Sequence, residues 1–119
     1  MNTDLRDVAI FLETKAAEAG AAENTLAAYA RDLKDVSSWC STRSTSLKSL
    51  KREDIEKYLI DLSSEGLAPA TRARRLSTIK QFFQFCVEEG WRPDNPSLQI
   101  RGGGKTKKYM AKGGAAGGM

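Results

Sequence analysis

Apolar residues recur along this chain at three- and four-residue steps in four separate stretches, and no stretch alternates as a half-buried strand would. The clearest runs from Leu67 to Gly90. Leu76, Ile79, Phe82, Phe83, Cys86 and Val87 fall on one stripe of a helix, with Arg74, Ser77, Thr78, Gln81 and Gln84 assigned to the opposite side. Pro69 suits the first turn, where its missing N–H costs nothing. Gly90 suits a left-handed cap at the far end. Four basic residues and no acid lie between Arg72 and Lys80. A helix that buries one face and offers cations, hydroxyls and amides on the other is built to read nucleic acid.

The other three stretches predict bracing helices. The first covers about residues 3–19, capped by Thr3 or Asn2, with Leu5, Val8, Ala9, Phe11, Leu12 and Ala16 as its apolar side and Gly20 as its stop. The second starts at Glu23 or Asn24, Asn24 being the better cap, and buries Leu26, Tyr29, Leu33, Val36 and Cys40. Arg31, Lys34 and Ser38 lie opposite, with Ala27 leaving room for close approach to phosphate. The acids Asp32 and Asp35 nearby read as part of an ordinary solvated face. Ser41 to Ser49 is a polar connection, too rich in Ser and Thr for a helix interior, which Leu47 and Leu50 plug into the core. The third helix spans about residues 52–65 with Ile55, Tyr58, Leu59 and Leu62 as its stripe, and Gly66 stops it. Its other face is acidic (Glu53, Asp54, Glu56, Asp61) and suits no phosphate. Beyond the fourth helix, Pro93 and Pro96 hold the chain extended while Trp91 and Leu98 pack back. The expectation is an all-α, compact bundle of four main helices over residues 1–100.

Charge sharpens this picture. The net charge of +4 is unevenly spread: residues 1–68 hold 9 Lys/Arg and 12 Asp/Glu, residues 69–119 hold 10 and 3. The positive potential belongs to the fourth helix and to residues 101–119, which carry seven of the ten glycines and read as a flexible Gly/Lys-rich tail or interdomain linker. Lys105, Lys107, Lys108 and Lys112 there suit non-specific phosphate contacts.

Catalytic chemistry finds little support. The chain has no histidine, so no Ser-His or Cys-His pair is available, and two cysteines without histidine give no plausible zinc site. Cys40 and Cys86 read as small buried hydrophobes. The GGGK at residues 102–105 lacks the strand and helix of a phosphate loop. The carboxylates read as spread over solvated faces with no pair in a cleft. No cofactor is expected. No apolar run nears the roughly 18 residues of a membrane span, and the acidic N-terminus does not resemble a signal peptide, so a cytoplasmic protein is expected.

The run AENTLAAYARDL (residues 22–33), the piece LKREDIEKYLIDLSSEGLAPAT (50–71), the run RRLSTIKQFFQFCVEEGW (74–91) and the closing Asn95-Pro96 together resemble the N-terminal core-binding domain of tyrosine site-specific recombinases, of the Xer and phage-integrase type. The resemblance covers about residues 4–100. It implies a SAM-like four-helix bundle forming one half of a clamp on double-stranded DNA. The other half would be a catalytic domain, and sister recombinase subunits would be partners. It also implies that the second and fourth helices meet a major groove. Carried across, Asn24 and Thr25 begin the second helix of the motif and Arg31 matches its basic position. Arg74, Ser77, Lys80 and Gln81 match the polar and basic positions of the fourth. Arg72 and Lys34 join this set from the charge pattern alone. Ala30 stands where relatives often carry Arg, and Ala70 where they often carry Thr, each removing a phosphate contact. The family's catalytic domain would begin after about residue 110, where this chain has glycines instead, so strand cleavage is not expected from it. An alternative is a SAM-like protein-interaction bundle anchored by an exposed Phe85. A third reading is a helix-turn-helix regulator, which would need a dimer and a palindromic site.

Overall fold

Four helices form where the apolar periodicity places them. A computed structural model describes residues 3–20 and 22–100, with α1 at Asp4–Ala19, α2 at Glu23–Ser41, α3 at Arg52–Ser64 and α4 at Pro69–Glu88. A single 3₁₀ turn, Leu47–Ser49, interrupts the connection between α2 and α3. No strand occurs among the described residues. Residues 101–119, expected as the tail, lie outside them.

Helix ends follow local chemistry. Pro69 opens α4 at its first turn. Gly66 and Gly90, both at positive φ (88° and 75°), close α3 and α4. In each case the next two N–H groups turn back. Gly66 and Leu67 donate to the carbonyls of Ser63 and Leu62, and Gly90 and Trp91 to those of Val87 and Cys86. This double bond satisfies carbonyls that a helix end otherwise strands. The start of α3 lacks an acceptor side chain at Lys51, and Asp54 compensates by accepting the Lys51 backbone N–H at 2.9 Å. Asn24 is not the cap of α2. Ala22 holds that position and Asn24 sits inside the first turn, so the helix begins without side-chain capping.

The core gathers around α4. Leu76, Ile79, Phe82, Phe83, Phe85 and Cys86 are all buried, against Phe11 of α1, Leu33, Val36 and Cys40 of α2, and Ile55, Tyr58 and Leu62 of α3. Leu47 and Leu50 plug the long connection, as expected. Two positions on α4 depart from the two-faced expectation. Phe85 is 2% exposed, not exposed, because Phe11 and Trp91 close over it with ring centroids 5.5 and 5.2 Å away. Thr78 is buried as well, and its hydroxyl donates to Asp32 at 2.9 Å. The central helix is therefore buried over about half its circumference, with Phe11 of α1 and Trp91 of the returning chain adding to α2 and α3.

The N-terminal half of α1 also departs from its pattern. Leu5 is 82% exposed while Asp4 and Asp7 are buried. Asp4, Asp7 and Phe11 form the inward stripe, so two carboxylates occupy what a leucine was expected to fill. Asp4 accepts the Leu47 backbone N–H at 3.1 Å and the Ser37 hydroxyl at 2.6 Å, tying α1 to α2 and to the 3₁₀ turn. Asp7 accepts the Thr3 hydroxyl and lies 3.5 Å from the Lys48 ammonium. Both acids sit in the first turn of α1, where the helix dipole favours them. The expectation that all carboxylates lie on solvated faces fails for Asp4, Asp7 and Asp32.

After α4 the chain returns along the bundle. The Arg92 guanidinium donates to the carbonyls of Lys48 and Leu50 and covers the Phe83 ring at 5.1 Å. Asn95 donates to the Lys80 carbonyl. Turns over residues 96–99 then point Leu98 outward, 64% exposed, and Ile100 takes the buried place expected for it. Pro93 and Pro96 thus serve turns more than an extended strap.

Candidate nucleic-acid interface

The polar face of α4 begins with Arg74, Ser77 and Gln81, all exposed and within one narrow stripe of the helix. Lys80 lies at its edge and is half-buried. Packed beside α4 is α2, and the two are joined by a buried carboxylate. Asp32 is fully buried. Its Oδ1 accepts from Arg74 Nη2 at 2.7 Å and its Oδ2 from the Thr78 hydroxyl at 2.9 Å. This fixes the side chain of Arg74, itself 48% exposed, at the seam between the helices.

On α2, Asn24, Thr25 and Arg31 are exposed. The structure thus joins α2 to α4 at the Asp32–Arg74 bond, with Asn24, Thr25 and Arg31 exposed on the one helix and Ser77 and Gln81 exposed near Arg74 on the other. It does not bring Arg72 or Lys34 there. Arg72 lies about 200° around α4 from Arg74, and its Nη1 donates to the Leu67 carbonyl at 2.6 Å. Lys34 lines the groove between α1 and α2 with Leu5, Val8 and Leu12, away from Asp32.

The run of four cations without an acid proves less free than it reads. Arg72 holds a carbonyl and Arg74 holds Asp32. Arg75 Nη1 donates to Asp35 Oδ2 at 2.6 Å and to the Tyr58 hydroxyl at 3.2 Å. The compensating acids come from α2, some forty residues earlier, so no window on α4 reveals them. Sequence reasoning missed Asp32, Asp35, Tyr58 and Arg75 as a unit. A signal existed for Asp32, which stands three after Tyr29 and four before Val36, on the border of the buried stripe.

The same network sets local ionisation. Burial and the bond it donates to Asp35 push the Tyr58 phenol upward, so it stays protonated at neutral pH. Burial works against the Arg75 cation, but Tyr58, Asp35 and Asp32 outweigh it and hold its pKa above the ordinary value. Burial pushes the Cys40 and Cys86 thiols up to about 12 each, leaving them inert at neutral pH. Among the described residues no group of three or more His, Cys, Asp or Glu is arranged to hold a metal ion. None of their helices is long and apolar enough to cross a membrane.

Residues 6–90 match the family model described as the phage integrase N-terminal SAM-like domain. A tyrosine recombinase XerD of Caulobacter vibrioides is 47% identical over 90 residues, covering 76% of this chain and 30% of the relative. Tyrosine recombinase XerD of Rhizobium meliloti is 43% identical over 90 residues, covering 76% and 29%. The namesake from Bradyrhizobium diazoefficiens is 35% identical over 100 residues, covering 84% and 31%. The chain thus spans about a third of the length of these curated relatives. No solved structure matches it significantly.

Proposed function

This chain belongs to the phage integrase N-terminal SAM-like domain family, and from that premise we propose that it is the duplex-DNA-binding domain of a tyrosine site-specific recombinase. It positions the enzyme on a recombination half-site, in the cytoplasm. Strand cleavage and rejoining belong to a catalytic domain beyond this one, and sister recombinase subunits are its partners in the full assembly. The observation that carries the reading is the Asp32–Arg74 bond that joins α2 to α4, with Arg31, Asn24 and Thr25 exposed on one helix and Ser77 and Gln81 on the other. Cations there suit phosphates, and the amides and hydroxyls suit phosphate oxygens or base edges. Lys80 reaches the same surface from the helix edge by extending its stem.

The protein-interaction alternative loses its anchor, because Phe85 lies in the core. A regulator of the helix-turn-helix kind gains no support from a specific observation.

Arg74→Ala would strip a buried carboxylate of its counter-ion, so the cleaner test combines Arg31→Ala with Gln81→Ala. Both residues are exposed. Fluorescence anisotropy with a short duplex at several salt concentrations should show weaker binding, with a log–log salt slope shallower by about one unit for the lost arginine. Glu53→Ala with Glu56→Ala on α3 should leave the slope and affinity nearly unchanged. Equal losses from both pairs would refute the assignment of the face.

A further inference from the structure

One buried carboxylate serves two arginines unequally. Asp32 Oδ1 receives a 2.7 Å hydrogen bond from Arg74 Nη2 and stands only 3.8 Å from Arg75 Nε. That Nε–H is buried and has no hydrogen-bond partner. A buried donor left unpaired is costly, and such a vacancy in a native core calls for an explanation. Arg74 and Arg75 also differ in freedom. The first is 48% exposed and bonded through one end, while the second is 16% exposed and held by Asp35 and Tyr58.

We propose that Asp32 acts as an internal stand-in for phosphate, holding Arg74 until the backbone of a bound duplex takes that guanidinium over, whereupon Arg75 Nε closes on Asp32 in its place. The inference rests on the DNA-binding reading and describes the regulation of that same face. The exchange conserves charge pairing at every stage. Before binding, Asp32 has Arg74. After it, Arg74 has a phosphate, and Asp32 keeps Thr78 and gains the Arg75 Nε–H. Closing the gap from 3.8 Å to an ordinary bond of about 2.9 Å needs only a shift of about one ångström. An exposed guanidinium with no such post would grip any polyanion. Here a phosphate must displace a carboxylate already in hydrogen-bond geometry, which penalises poorly registered contacts.

Side-chain Nε–H NMR signals of the ¹⁵N-labelled protein test this directly, with a short duplex added at low salt and binding followed in parallel by anisotropy. The Arg74 and Arg75 signals should shift together as the duplex binds, the Arg75 signal moving downfield as its hydrogen bond forms. A duplex that binds while either signal stays in place overturns the exchange and leaves the DNA-binding face standing. Absence of any binding removes the functional reading and the exchange with it. A mutant cycle gives a second readout. Asp32→Asn should tighten binding roughly threefold to tenfold at low salt by releasing Arg74, and this gain should vanish in the Arg74→Ala background. A gain that persists there would reflect net charge alone and overturn the proposal, as would weaker binding by Asp32→Asn.

Discussion

Phe85→Ala separates the two readings of α4, because the same ring is either a surface anchor or a core member. Phe85 is 2% exposed and meets Phe11 edge-on at 5.5 Å and Trp91 at 5.2 Å. Burying a phenyl side chain contributes about 1.5–3 kcal/mol, and each edge-to-face pair adds about 0.5–1.5 kcal/mol. Truncation should therefore cost about 3–5 kcal/mol, the usual range for a buried phenylalanine. For a domain of this size that lowers the melting temperature by about 12 °C or more. Urea unfolding followed by tryptophan fluorescence measures it, and Trp91 reports locally because it loses its ring partner. Phe85→Leu, which refills much of the volume but loses both ring pairs, should cost less, about 1–3 kcal/mol. A loss below about 1 kcal/mol for Phe85→Ala, accompanied by a change in self-association, would refute the core placement and revive the interaction surface.

Two further outcomes follow from buried polar groups. Asp4→Ala strands the Leu47 N–H and the Ser37 hydroxyl and should cost about 2–4 kcal/mol, with faster hydrogen exchange at the Leu47 amide, whereas neighbouring Leu5→Ala should stay within about 0.5 kcal/mol. The two thiols predict loss of stability in alkali. Their native values, raised from 9.0 to about 12, mean that the unfolded chain gives up these protons first, so stability is full below pH 9 and falls as pH rises from there towards 12. Between pH 8 and pH 10 the pair should cost about 3 kcal/mol in urea titrations. Replacing both cysteines by alanine should remove most of that slope, and an unchanged slope would contradict the burial of the thiols.

What the sequence determined by itself was the all-α architecture, the helix count and most helix ends. These depend on local terms: apolar spacing along one helix, a proline at a first turn, a glycine at a last one. Gly66, Gly90 and Pro69 act within a few residues of themselves, so reading them needs no partner. The motifs spanning residues 22–96 carried the family in the same way, since order and spacing survive in one dimension. Tertiary structure alone decided which polar residues are free. Asp4, Asp7 and Asp32 carry a charge that composition assigns to solvent, yet each is taken inside by a donor more than thirty residues away or by a neighbouring cation. Phe85 and Thr78 were misplaced because a helix wheel assumes one buried side, and α4 is packed by neighbours on several. Arg72, Arg74 and Arg75 look alike in sequence. Only their partners in space, a carbonyl, a buried carboxylate and a Tyr58–Asp35 pair, divide them into a backbone brace, a half-exposed cation tied to α2 and a core strut.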